Sequence, residues 1–529
     1  VGLIRRPEPW VFLILFGSYA FFWHARDWNS ASRLMLTYSL VDRGTVVLDG
    51  LDKQTGDIAW FRGRYYSDKL PGYSILATAP YAIAKGVLGL PPHPLRVPGM
   101  AYWPADYWAT LGASGLLSAA CGALLTHLAR QLGCGPRRSL LVGLSYGLAT
   151  PAYAYATMSY GHQAAAFALL ASFALLWRPE ARHPAWCAFI AGALAAYASV
   201  IELQVGPVSA ILGFYLLARV LRRERRPARL GEFAVGASLP TVLLLGYNFL
   251  AFGSPWDMGY FHHATAEFRG VHSADNPLGL RSIDWFRIVP LLWGGYRGLL
   301  FYAPILILAV PGWLILALRR EWGITLVSGA VVSAVLLVNL SYPEWTGGWS
   351  TGPRLLVPLL PFAMLPVAAV LACGGPVVTG VALGQAVAGG VLMLLFQGVG
   401  ARIPQFVADP LFGAVLPLWR GDALPGWWVN DRFARNLVRW LVPDAVGRLP
   451  LPWRGLQFVP LVVAQVAAIV LACRCVRRPD SSSRLEEEGA SSDLGIDQQQ
   501  DHGRDHQDAQ DPRAEPGRMQ PDQTPGFVA

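Results

Sequence analysis

Charge is scarce in this sequence. Asp, Glu, Lys and Arg supply 15% of the 529 residues against 53% hydrophobic ones, and mean hydropathy is +0.37. A soluble globular domain carries roughly a quarter charged residues, so a soluble enzyme or regulator is excluded. The long apolar runs lack the period-2 alternation of a membrane barrel strand. No internal repeat is visible, and no matched pair of interrupted helices of the kind that marks pseudo-symmetric transporters. Charge is nearly absent from the middle of the apolar runs, where a transport path would need it. Cysteine is also rare. Cys121, Cys134, Cys187, Cys373, Cys473 and Cys475 fall in apolar runs or beside arginine-rich connections, which predicts no disulfides.

What is abundant is apolar sequence in runs of about 18 residues or more, the length of a membrane-crossing helix. The pattern predicts an all-α polytopic membrane protein with about 12 transmembrane helices, near 9–23, 106–129, 139–157, 161–177, 184–201, 205–221, 230–251, 298–318, 322–341, 354–373, 377–399 and 456–474. The first run has no small-residue cleavage site after it and reads as a retained signal anchor. Arginines cluster in every second connection: Arg5-Arg6, Arg137-Arg138, Arg178 and Arg182, Arg222 to Arg226, Arg319-Arg320, and Arg474, Arg477 and Arg478. The positive-inside rule makes those connections cytoplasmic, with both termini inside. The protein is then expected in the plasma (inner) membrane. To keep this parity, the apolar segment 71–90 is read as a re-entrant or interfacial helix on the outer side.

Two regions follow: a membrane domain over 1–479, and a polar, acidic tail over 480–529 with the composition of a disordered cytoplasmic segment. Three outer connections are long, 24–105, 252–297 and 400–455. The net charge of +9 reflects the arginine-rich inner loops and is no signal for nucleic acid.

Polar residues concentrate in the first outer loop. "SRLMLTYSLVDRG" has the pattern of an amphipathic helix lying on the membrane surface, capped by Asn29 or Ser30 and ended by Gly44. "TVVLDG" is extended and ends in Asp49. "LDKQTGDIAWFRGRYYSDKLPG" then brings Asp52, Asp57, Arg62, Arg64, Asp68 and Lys69 together with Tyr65 and Tyr66. Outer ends of later spans add His162, Glu202, the segment "FGSPWDMGYFHH", and "PEWTGGWSTGPRLLVP" with Trp349 and Arg354. Ionisable residues at a membrane boundary are functional candidates. Asp27 and Asp42 read as solvated, and the adjacent His262-His263 lacks the spacing of a metal-ligand pair.

"SRLMLTYSLVDRGTVVLD…TGDIAWFRGRYYSDKLPGYSILATAPYAI" resembles the first outer loop of the GT-C membrane glycosyltransferases. It is most similar to the bacterial relatives of protein O-mannosyltransferases and of the lipid A aminoarabinose transferase. Members typically read R…G…Y(F/Y)xKPP here, and "FGSPWDMGY" and "GGWSTGPRLLVPLLPF" resemble further segments of one bacterial branch. Two departures stand out. The family's acidic pair after the first span is replaced by Asn29-Ser30, with Asp27 two residues earlier, and Lys69 is followed by Leu70-Pro71.

The resemblance implies a GT-C-like bundle. It also implies a polyprenyl-phosphate-linked sugar as donor, transferred as a hexose or pentose to a lipid, glycan or protein acceptor on the outer face. A carboxylate would act as general base, with Asp49, Asp57 and Asp68 as candidates, and cations would hold the donor phosphate, drawn from Lys69, Arg354, Arg64 and Arg33. Tyr65, Tyr66, Glu202, His162 and Trp349 would contact substrate, and segment 71–90 would guide the prenyl chain. No metal site is assigned; a divalent cation is compatible with the carboxylates. The alternative is a lipid-linked-sugar flippase or transporter without transferase activity.

Overall fold

The computed structural model describes residues 5–24, 26–92, 104–177, 183–422 and 433–476. The 480–529 tail lies outside them, as do Arg178, Arg182, Arg477 and Arg478. Within them, eight helices are long and apolar enough to cross a membrane. Numbering helices in chain order, α1 is Pro7–Ala20, α2 Trp28–Arg43, α3 Gly72–Leu88, α4 Pro104–Gln131, α5 Pro136–Leu148, α6 His162–Trp177, α7 Pro184–Ile201, α8 Leu203–Leu221 and α9 Ala228–Phe252. Then come α10 Pro304–Leu318, α11 Trp322–Ser341, α12 Arg354–Cys373, α13 Pro376–Val399 and α14 Trp453–Cys475. The long spans are α4, α7, α8, α9, α11, α12, α13 and α14. The other four expected spans correspond to the shorter helices α1, α5, α6 and α10.

Proline opens α1, α5, α7 and α13, where its missing N–H costs nothing. α7 and α9 touch backbone to backbone: a Cβ on Gly192 would lie 1.9 Å from Phe233 O, and one on Gly236 1.9 Å from Phe189 O. Small residues at such crossings are how membrane helices gain van der Waals contact. The cysteines are all free.

The first outer loop departs from its expected form in three ways. First, α2 does not lie on a surface: residues 30–39 are buried throughout. Its polar stripe is enclosed because each member finds a partner, Ser32 Oγ donating to Asp68 (2.8 Å), Arg33 to Glu202 (2.6 Å) and Thr37 Oγ1 to Ser74 O (3.0 Å). Its N-cap is Asp27, whose carboxylate accepts from Ser30 N at 2.8 Å in a reciprocal capping box, a feature worth about 1 kcal/mol. Gly44 ends it at φ 62° as expected.

Second, "IAWFRGRYYS" is a β-hairpin, with β1 (Ile58–Phe61) antiparallel to β2 (Arg64–Ser67). The two-residue turn Arg62-Gly63 has positive φ at both positions, 47° and 81°, the requirement of the tight turn that matches strand twist. Third, the second long loop folds onto this hairpin. Ala59 bridges His263, and Ala264 N donates to Ile58 O at 2.8 Å.

Segment 71–90 is helical as α3, held beside Lys69 by the hairpin; its Gly72 carbonyl accepts from Tyr197 Oη at 2.8 Å.

Candidate functional site

The folded loops and the adjoining helix ends enclose a chamber of about 450 Å³, within the range of small-ligand sites. Its walls carry Asp57, Asp68, Lys69, Arg33, Glu202, His162, Arg354 and Trp349 from the expected set. They also carry Asp27, expected to be solvated, His263, expected to play no part as a metal ligand, and Tyr260 and His272, which the sequence did not single out.

Lys69 is the hub of one wall. Its Nζ donates to Asp68 Oδ2 at 2.6 Å and lies 2.9 Å from Asp57 Oδ2. Asp68 is fully buried and also takes Ser32 Oγ at 2.8 Å and faces His263 Nε2 at 3.3 Å. The second loop reaches this point because residue 259 is glycine: a Cβ there would sit 2.4 Å from Ser67 O. Burial alone would raise both carboxyls. Asp68, with more donors around it, is held below the usual range by Lys69 and His263. Asp57 shares only Lys69, and burial, with the neighbouring Asp68 charge adding to it, pushes its carboxyl up. The two acids raise Lys69 well above its ordinary value against the effect of burial. The two neighbouring carboxyls are thus shifted in opposite directions.

Oxygens of Asp57 and Asp68 and a His263 nitrogen all lie within 4.8 Å of one another. This group could hold a cation, where the sequence assigned no metal site; the histidine stands with distant carboxylates and not with its neighbour His262. A divalent ion there would have to displace the Lys69 ammonium, which already occupies the space between the acids. His262 pairs instead with Asp257, 2.7 Å away.

The opposite wall is built from α12 and the loop before it. Arg354 stands over the Tyr160 ring, 5.1 Å from its centroid, and its Nε has no hydrogen-bond partner. No carboxylate pairs with it among the described residues. Asp27 and Asp57 act on it only at longer range, and a cavity-lining guanidinium with no contact ion pair suits a ligand anion. The loop that sets its height is pinned by Arg297, fully buried, which donates to Thr346 O (2.9 Å), Gly348 O (2.9 Å) and Ser350 O (3.3 Å).

Between the walls lies a buried ion pair, Arg33 with Glu202 at 2.6 Å. His162 Nδ1 is 3.6 Å from the same carboxylate. Glu202 reaches the N-terminus of α6 because residue 161 is glycine; a Cβ there would be 2.4 Å from Glu202 Oε1. Asp27 completes the set. Its carboxylate accepts from Ser30 and from the Tyr160 hydroxyl and is held lower than usual by Arg402 and these bonds, against burial.

Four expected site residues are elsewhere. Asp49 is a hairpin brace, its Oδ1 accepting from Tyr65 N at 2.8 Å. Arg64 is exposed at the hairpin turn. Tyr65 packs on Trp60, and Tyr66 on Phe252 in the core. None of the four lines the chamber. No α3 residue lines it either, so segment 71–90 does not form its wall. Asp42 is not solvated but bonded to Tyr81 and Lys85, and Asp27 is buried in the site. The signal for Asp27 was its position as the last acid before α2; for His263 and Tyr260 it was only membership of an aromatic loop segment.

No protein-family model and no curated protein matches the chain. Among solved structures it is similar to ArnT from Cupriavidus metallidurans. The form bound to undecaprenyl phosphate is 16% identical with a TM-score of 0.47, covering 90% of this chain and 78% of that one. The apo form is also 16% identical, with a TM-score of 0.45 over 89% of this chain and 77% of that one.

Proposed function

We propose that this protein is an integral membrane glycosyltransferase that takes a sugar from a polyprenyl-phosphate donor and passes it to an acceptor on the extracytoplasmic face. The observation that carries this reading is that one chamber is lined by both a guanidinium with no contact ion pair, Arg354, and a carboxylate of raised proton affinity, Asp57. The first-loop resemblance to GT-C enzymes supports the same chemistry.

In the proposed reaction the acceptor O–H gives its proton to Asp57. A new bond forms from the acceptor oxygen to the sugar's anomeric carbon, and the bond from that carbon to the phosphate oxygen breaks. The electron pair leaves with the phosphate. Arg354 and the free N–H of Lys69 stabilise the developing charge. Asp68 keeps Lys69 protonated and in place, and Arg33–Glu202 fixes the floor.

Helix direction supports the extracytoplasmic side in this reading. α7 ends and α8 begins at Glu202 on the chamber, while Arg222, beyond the far end of α8, starts an arginine-rich connection. Arg137-Arg138 and Arg319-Arg320 likewise flank helix ends away from the chamber residues. With arginines inside, the chamber faces outward.

The test is incubation of the purified protein with a polyprenyl-phosphate hexose or pentose and a membrane extract as acceptor. Release of free polyprenyl phosphate, lost in D57N, supports the reading. Movement of the intact lipid-linked sugar across vesicles with no release would replace it with the flippase alternative.

A further inference from the structure

Beside the chamber is a recess with a free volume of about 10 Å³, room for one water-sized group. It shares His162, Glu202, Gln204 and Leu355 with the chamber wall, and adds Val335 and Asn339. Two buried polar atoms in its lining residues have no hydrogen-bond partner, His162 Nε2 and Asn339 Oδ1. These residues are 6% and 2% exposed. Asn339 uses its Nδ2 on Trp345 O at 3.3 Å, which leaves its oxygen without a partner. His162 turns its Nδ1 toward Glu202, which leaves Nε2.

A buried amide on a membrane helix is costly unless its hydrogen bonds are made. The amide oxygen needs a donor, and the ring nitrogen takes either role according to its proton. The group that fits must both donate and accept, and must be no larger than one heavy atom. A hydroxyl meets each condition. The recess also opens beside the anion site: His162 stacks on Tyr160, 5.8 Å between ring centroids, and Tyr160 carries Arg354 on its face. A sugar attached to a phosphate on Arg354 is therefore next to it.

We propose that this recess is a specificity subsite that reads one free hydroxyl of the donor sugar through His162 and Asn339, and that it rejects a larger substituent at that position. The proposal rests on the donor reading above. A site built to bond a hydroxyl discriminates strongly against ligands that leave its polar atoms unpaired.

The experiment measures binding in lipid nanodiscs with no acceptor present. The probes are undecaprenyl phosphate and its glucosyl, mannosyl and arabinosyl forms. The proteins are wild type, N339L, which removes the amide, and V335L, which fills the recess and leaves both polar partners in place. Wild type is expected to bind at least one glycosylated probe about tenfold or more tighter than the bare lipid. Both variants should lose that preference and keep the bare-lipid Kd, which also shows that they are folded. Preference retained in both variants, or absent from wild type, means that the recess holds only a water and overturns the proposal. Failure of wild type to bind bare undecaprenyl phosphate would instead remove the donor reading itself.

Discussion

Replacing Arg354 by Ala separates ligand binding from folding in this site. Arg354 has no carboxylate partner among the described residues, so its loss strands no buried acid. What it gives up within the protein is the contact with the Tyr160 face, worth about 0.5–2 kcal/mol, and a longer-range attraction to Asp27 and Asp57. Thermal unfolding should therefore move by only a few degrees. Toward a phosphate the loss is larger. A hydrogen bond to a charged group contributes about 1.5–3 kcal/mol, which is roughly a 10- to 150-fold weaker Kd for undecaprenyl phosphate. The assay is titration of the purified protein in nanodiscs with undecaprenyl phosphate, with R64A as control. Arg64 is exposed and off the chamber, so R64A should bind as wild type does. If R354A binds undecaprenyl phosphate as tightly as wild type, or if R64A loses as much, the guanidinium is not the anion site.

Other expectations follow from the same geometry. K69M leaves Asp57 and Asp68 facing each other without their cation, which should cost about 3–5 kcal/mol of stability; adding D57N and D68N should restore the melting temperature but not sugar transfer. Because burial raises Asp57, the acid limb of kcat/KM should lie above the ordinary aspartate value of about 3.9, since the base works only when deprotonated and a raised group is protonated earlier on acidification. Asp68 is lowered and stays ionised across that range, and Lys69 is raised and stays protonated, so neither adds a limb near neutrality. A pH–rate profile with its acid limb at or below the ordinary value would remove Asp57 from the base role. R297M should slacken the loop over Thr346 to Ser350, raising KM for the lipid donor more than it lowers kcat; an unchanged KM would show that the loop does not set Arg354.

Much of the frame was legible because a membrane imposes a simple rule on sequence. Each expected span has a helix at its place, including the short ones, since apolar length and flanking arginines report directly on burial in lipid. Asp68, Lys69, Glu202, His162 and Arg354 were legible for the complementary reason: charge at the edge of an apolar run must be compensated or used. What escaped depends on packing between distant segments. His263 joins Asp68 only because the second loop adds itself to the hairpin edge across nearly two hundred residues, with Gly259 permitting the approach. The hairpin itself was hidden because its turn is Arg62-Gly63, without the Asn-Gly or Asp-Gly signal. Asp27 looked solvated in a polar stretch, yet it caps α2 and meets Tyr160, a residue from the far side of the site. Asp49 and the two tyrosines lie off the chamber because proximity in sequence to Lys69 does not decide where a side chain packs: Asp49 braces the hairpin, Tyr65 packs on Trp60 and Tyr66 on Phe252.

The most direct test of the central claim is an electron cryomicroscopy structure of the protein in nanodiscs with undecaprenyl phosphate added. The account predicts density for the phosphate in the chamber, within hydrogen-bond distance of the Arg354 guanidinium. A phosphate bound elsewhere on the protein, with the chamber occupied only by water, would contradict it.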